Sequence, residues 1–371
     1  MKVPMLDLTE QYQELKAEIL PALDEVMSKA HFILGDNVKK LEKDVAEYSN
    51  SKHGIGVANG SDALNISLLG CGVQPGDEVI VPSFTFFATA GAVARMGATP
   101  VFVDIDPKTF NIDPNEIEKA ITPKTKAIIP VHLYGQMADM DRIKEIADKH
   151  NLAIIEDAAQ AIGALYKGKK VGELGTTACY SFFPTKNLGA YGDAGMIISN
   201  DDEIAEKIRV LRVHGSKPKY YHHVLGYNSR LDELQAAILN VKFPHLNDWS
   251  DKRREKAETY TQLLQEMVGE NVVTPFAEGH NHHVFHQYTI RVQKRDELQA
   301  YLKEQGVATM IYYPKPLHLQ PVFAELGYKE GDLPETERAA QEAISLPMFP
   351  ELKTEQQQYV VEKIREFYQK N

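Results

Sequence analysis

Over residues 11–29 and 36–49, apolar residues recur at spacings of three and four. That period predicts two amphipathic helices, the second with Asp36 as its N-cap. From about residue 53 the rhythm changes. Short apolar runs at 54–58, 78–81, 100–103, 126–131, 152–156 and 178–183 alternate with helical patterns at 61–70, 86–96, 114–121 and 138–150. Strands alternating with helices predict an α/β fold whose mostly parallel sheet is covered on both faces. A further strand is expected at 195–199, with helices at 201–212 and 231–242. Pro244 and the polar residues after it predict a boundary near 245. This divides the chain into a large domain, 1–245, with an N-terminal helical segment, and a smaller α+β domain, 246–371. The smaller domain should hold helices at 251–268, 295–305 and 354–369 and strands at 285–292 and 307–312.

Composition narrows the function classes. The 371 residues are 43% hydrophobic and 25% charged, ordinary values for a globular chain of two domains. The net charge is −11 and no Lys/Arg run appears. That argues against a nucleic-acid partner, which needs phosphate neutralisation, and leaves room for a small anionic ligand. With only Cys71 and Cys179, neither a disulfide framework nor a cysteine-built metal site is expected. The N-terminus lacks an apolar signal core, and no apolar stretch is long enough to span a membrane. The expected location is the cytoplasm, with no membrane partner.

The candidate chemistry lies just after the predicted strands, where open α/β sheets bind ligands. Ser181-Phe182-Phe183-Pro184-Thr185-Lys186 runs a strand into a Pro turn, and Gly189-Ala190-Tyr191-Gly192 follows. Lys186 is either a solvated loop lysine or a Schiff-base lysine held by a rigid turn. Ile154-Ile155-Glu156-Asp157-Ala158-Ala159-Gln160 ends a buried strand in two acids. Asp157 is then a helix cap or the partner of a buried cation, such as a protonated pyridine nitrogen. Asn59-Gly60-Ser61-Asp62 opens a helix, as a plain N-cap or as an anion site with Gly60 admitting a phosphate. In Pro82-Ser83-Phe84-Thr85-Phe86-Phe87 the aromatics are core residues, or one of them stacks on a flat ring.

These segments occur together with LDLTEQYQELKAEI, HFILGDNVKKLE, PVHLYGQ, GYNSRLDELQAAIL and YYPKPLHLQPVF. Over nearly its whole length the chain resembles the nucleotide-sugar aminotransferases of the DegT/StrS kind, which depend on pyridoxal phosphate (PLP) and have the fold-type-I architecture. The resemblance implies that Lys186 carries the cofactor, Asp157 pairs with its pyridine nitrogen, Gln160 lies near the ring oxygen and Phe86 stacks on the ring. It further implies that Gly60, Ser61 and Ser181 contact the phosphate. Asn228 would reach the phosphate from a second subunit, making the active unit a homodimer with shared sites. Some relatives replace the lysine by histidine and become dehydratases; Lys186 disfavours that branch.

Tyr313 and His318, in Tyr313-Pro314-Lys315-Pro316-Leu317-His318, match a family segment near the active site and are expected substrate contacts. His280, His282, His283 and His286, and the pair His222–His223, lack a metal-site pattern, and no metal is expected. Arg212, Lys217 and Lys219 are either diphosphate contacts or solvated loop charges. The resemblance implies L-glutamate as amino donor and a nucleotide-linked keto sugar as acceptor. The opening segment and Phe32-Ile33-Leu34-Gly35 resemble the branch of the family that aminates C-3 of the sugar, which implies an acceptor such as a dTDP-3-keto-6-deoxyhexose. The alternatives are a UDP-linked 3-keto hexuronic acid, a C-4 keto sugar, or a non-catalytic regulator built on the same fold. A Rossmann dehydrogenase is disfavoured because no GxGxxG follows the first strand.

Overall fold

The computed structural model describes residues 1–370. A seven-stranded sheet runs in the order His53–Val57, Gly195–Ser199, Thr177–Ser181, Ala153–Asp157, Thr125–Ile128, Glu78–Pro82, Thr99–Val103. Only Gly195–Ser199 pairs antiparallel with its neighbours; every pairing from Thr177–Ser181 out to Thr99–Val103 is parallel. Successive side chains on a strand face opposite ways. Ile80, Ile128, Ile154 and Ile198 accordingly enter one core layer. Their neighbours Val79, Ala127, Ile155 and Ile197 enter the other. Burial on both faces requires apolar residues at consecutive positions, so these runs show no alternation. Helices Asp36–Tyr48, Met140–His150 and Glu233–Lys242 close the first layer. Gly60–Gly70, Ala88–Arg95 and Asp202–Leu211 close the second.

One capping expectation is corrected. Asp36 is the first residue of its helix, and the N-cap is Gly35, which has no side chain to offer. The capping comes from elsewhere in the chain. Buried Glu233 accepts from the backbone N–H groups of Gly35, Asn37 and Val38 at 3.0, 2.6 and 3.2 Å. Near residue 245 the chain does not leave the helix. Glu233–Lys242, the 3₁₀ turn Phe243–His245 and helix Leu246–Met267 follow one another directly. Pro244 stands in a first turn, where no backbone donor is needed.

Beyond this point an antiparallel sheet of Val272–Val273, Tyr288–Val292 and Ala343–Leu346 packs with helices Leu246–Met267, Arg295–Glu304 and Thr354–Lys370. Val3 joins the same core, so the N-terminus packs against C-terminal elements. The strand expected at 307–312 does not form. Val307 bridges Val3 and Met310 bridges Ser345, while Ala343–Leu346 takes the place in the sheet. That four-residue strand directly follows helix Pro334–Glu342, leaving too little pattern to read. Among the described residues no helix is long and apolar enough to cross a membrane.

Candidate active site

Asp157 is the last residue of its strand and is buried. Thr89 Oγ1 donates to its Oδ2 at 2.7 Å, and Ala159 N–H reaches Oδ1 at 3.3 Å. Burial outweighs these bonds and the charge of Lys186, so the Asp157 pKa is raised. A buried acid in this state gains most from a cation placed beside it.

One strand further along the sheet, Ser181 ends Thr177–Ser181 and the chain turns sharply, with Lys186 N–H donating to Phe183 O at 2.9 Å. Gly189 is required in this turn, because a Cβ there would lie 2.3 Å from Pro184 O. The Lys186 side chain is partly accessible, and its amine makes no hydrogen bond or ion pair among the described residues. Burial lowers its pKa to about 8 even though Asp157 pulls the other way. A lysine of this kind supplies a neutral amine near neutral pH.

Helix Gly60–Gly70 starts where strand His53–Val57 ends, and the Asn59 side chain accepts from Asp62 N–H at 2.8 Å. Gly60 sits so close to Ser181 that a Cβ on it would come within 2.7 Å of Ser181 Cβ. The chain thus brings Gly60, Ser61 and Ser181 together at the positive end of a helix, an arrangement that favours an anion. Phe86 is 58% exposed at the entry to helix Ala88–Arg95. Its ring lies 6.3 Å from that of Tyr313, tilted by 41°. Gln160 is held at both ends of its amide. Its Oε1 accepts from Tyr134 N–H at 2.7 Å and its Nε2 donates to the Tyr313 hydroxyl at 3.2 Å. Tyr134 adopts a left-handed φ of 58°, and its hydroxyl donates to Tyr312 O.

His318 is fully buried. Its Nδ1 meets Ser83 Oγ at 2.7 Å and its Nε2 meets Glu337 Oε1 at 3.2 Å, so both ring nitrogens are engaged within the protein. Arg212 is buried, with Nη1 on Glu42 Oε1 at 2.5 Å and on Gly56 O at 2.8 Å, so it is no solvated loop charge. Lys217 pairs with Glu206 and Lys219 lies over the Tyr220 ring. Asn228 is exposed, and neighbouring Ser229 accepts from Ala58 N–H at 3.1 Å. His280 packs edge-on against Tyr166, His283 stacks on Phe285 and His286 meets Asn187. Sequence reasoning missed the roles of Thr89 and Tyr134. Thr89 stands three residues after Phe86, just beyond the aromatic segment. For Tyr134 only the glycine that follows it hinted at an unusual turn.

This donor set fits PLP. Lys186 offers an unpartnered amine, Asp157 a buried carboxylate for a ring cation, and Gly60, Ser61 and Ser181 a small-residue cradle for a phosphate. The sequence profile of the DegT/DnrJ/EryC1/StrS aminotransferase family matches residues 13–365. A Geobacillus stearothermophilus protein named pleiotropic regulatory protein is 74% identical over 99% of each chain. An Acidithiobacillus ferrooxidans protein named UDP-N-acetyl-3-dehydro-alpha-D-glucosamine 3-aminotransferase is 50% identical over 95% of each chain. The crystal structure of S. venezuelae DesV in complex with a ketimine intermediate matches at a TM-score of 0.95 and 43% identity, covering 99% of this chain and 98% of that one. The chain therefore belongs to the DegT/DnrJ/EryC1/StrS aminotransferase family, PLP-dependent transaminases of nucleotide sugars with the fold-type-I architecture.

Proposed function

We propose that this transaminase transfers an amino group from L-glutamate to C-3 of a nucleotide-linked keto hexose, in the cytoplasm and as a homodimer. The observation that carries the reading is a Lys186 amine without a hydrogen-bonding partner, its pKa lowered to about 8, on the loop that follows the strand next to that of the buried acid Asp157. Amination at C-3 rests on the opening segment of the chain and on the name of the 50% identical relative. The nucleotide is dTDP in the first reading and UDP in its rival.

When bound, PLP supplies an aldehyde that accepts the amino group and a ring that draws off electrons as a C–H bond breaks. Lys186 would hold the cofactor covalently, and its Nζ, when free, would move a proton at the α-carbon of the donor. Asp157, kept from water, favours a protonated ring nitrogen. Gln160 would lie near the ring oxygen, and Phe86 would stack on the ring. Gly60, Ser61 and Ser181 would hold the phosphate. Tyr313, whose hydroxyl meets Gln160, contacts the substrate. His318 supports that same segment from beneath, holding it to Ser83.

A panel of dTDP- and UDP-linked 3-keto and 4-keto sugars with L-glutamate tests the reading, with amino-sugar formation followed by mass. Turnover confined to 4-keto sugars would overturn C-3 amination. The name of the 74% identical relative favours a second reading, a regulator on the same fold. That reading requires no turnover with any sugar. Borohydride reduction and peptide mapping should mark Lys186, and a different marked lysine would sink the assignment.

A further inference from the structure

His286 is a buried titratable group for which the transamination reading has no use. It lies on a bend that the sequence reads as part of a strand, just before Tyr288–Val292. Phe285, its neighbour, has φ of 40°, a left-handed conformation that a bulky residue adopts only when its surroundings impose it. Those surroundings are explicit. Buried Arg253 sends Nη1 to the carbonyls of Phe285, His286 and Met348, each at 3.2 Å. His283 stacks on the Phe285 ring with centroids 3.8 Å apart and planes 5° from parallel.

The bend aims His286 at the residue that follows the cofactor lysine. Asn187 Nδ2 donates to Val284 O at 3.0 Å, so its Oδ1 faces outward as an acceptor. His286 Nδ1 lies 3.1 Å from that Oδ1 and must carry the proton. Both partners are buried, so neither contact is replaced by water if it breaks. Burial, with Lys186 and Arg253 nearby, pushes the His286 pKa well below its ordinary value and keeps the ring neutral.

We infer that His286 is a positioning residue for Lys186: its Nδ1–H locks Asn187, and through Asn187 fixes the lysine turn against the bend held by Arg253. The latch joins two parts of the chain that meet only in the folded state, the loop after Thr177–Ser181 and the segment before Tyr288–Val292. It sets where the Lys186 amine stands and how far it is withdrawn from water.

The inference rests on Lys186 being the cofactor lysine, and its test separates the two. His286→Phe keeps a ring and removes the donor, whereas His286→Asn places an amide N–H near the position of Nδ1. In the full-length apoprotein, the rate of Lys186 acylation against pH, read by peptide mapping, gives the amine pKa without any cofactor. His286→Phe should raise it from about 8 by about one unit, and His286→Asn should restore it. In the holoenzyme His286→Phe should lower kcat about 10-fold to 100-fold, with the sugar KM changed less than about twofold, and His286→Asn should recover most of the loss. An unchanged Lys186 pKa in His286→Phe, or equal defects in the Phe and Asn variants, overturns the latch. Should His286→Phe not fold, Asn187→Leu removes the acceptor instead, and an unshifted Lys186 pKa in that variant overturns it equally. If borohydride marks a lysine other than Lys186, the cofactor assignment falls, and the apoprotein titration still decides the latch.

Discussion

Lys186 and Asp157 are shifted toward each other's needs by the same cause, withdrawal from water. The Lys186 pKa of about 8 leaves roughly a tenth of the amine neutral at pH 7, where an ordinary lysine would have well under a thousandth. The neutral form is the nucleophile. The rate of PLP uptake by the apoprotein should therefore rise through pH 8 and level off above it, as a stopped-flow absorbance titration at roughly 400–430 nm would show. A rate still climbing at pH 10 would mean that the reacting lysine is unperturbed. Burial also disfavours protonated Lys186 in the fold. Its destabilising effect is present at low pH and disappears as pH rises from about 8 to the ordinary value of 10.5. Asp157→Asn keeps the shape and removes the charge. Its kcat should fall at least about 100-fold, the scale for a charge lost from a preorganised site, while the unfolding midpoint stays near wild type. Near-normal turnover would reduce Asp157 to a capping residue.

At the scale of elements, helix Asp36–Tyr48 depends on a carboxylate supplied by helix Glu233–Lys242. Glu233→Ala would leave three N–H groups at a buried helix start without their acceptor. We expect a loss of about 2 kcal/mol, read as a lower denaturant midpoint with an unchanged slope. A midpoint within error of wild type would show that water or Asp36 takes over the cap. The strands were legible because burial on both faces leaves uninterrupted apolar runs. The cap was not, because its donor and acceptor are far apart in the chain. The segment 307–312 misled for a related reason: Val307 is buried and Met310 is exposed, and they pair only at isolated bridges, with Val3 and Ser345, rather than in a ladder.

For the whole molecule the open question is whether one chain completes its own site. Asn228 is exposed at the foot of a loop that also exposes Tyr220, Tyr221, Val224 and Leu225, the last 96% accessible. So much apolar surface on one loop suits the subunit interface of the proposed homodimer. With a two-fold partner, Asn228 would serve the neighbouring cofactor. Lys186→Ala protomers mixed with protomers defective at Asn228 should regain activity, because one site of the mixed dimer carries both defects and the other neither. No recovery, with subunit exchange verified and a severe Asn228 defect on its own, would place Asn228 in its own chain's site.

The sequence by itself determined the α/β class, the strand order along the chain and the identity of Lys186, Asp157, Gln160 and Gly60 as candidates. Each of these is written in a local pattern: burial sets the period of apolar residues, and a turn or strand end needs particular residues in consecutive positions. Tertiary structure alone decided that Thr89 holds Asp157, that Tyr134 orients Gln160, that His318 and Arg212 are engaged inside the protein, and that His286 reaches Asn187. Those contacts join residues far apart in the chain. Which side chain satisfies a buried donor or acceptor depends on what folding brings within about 3 Å, and no local pattern records that distance.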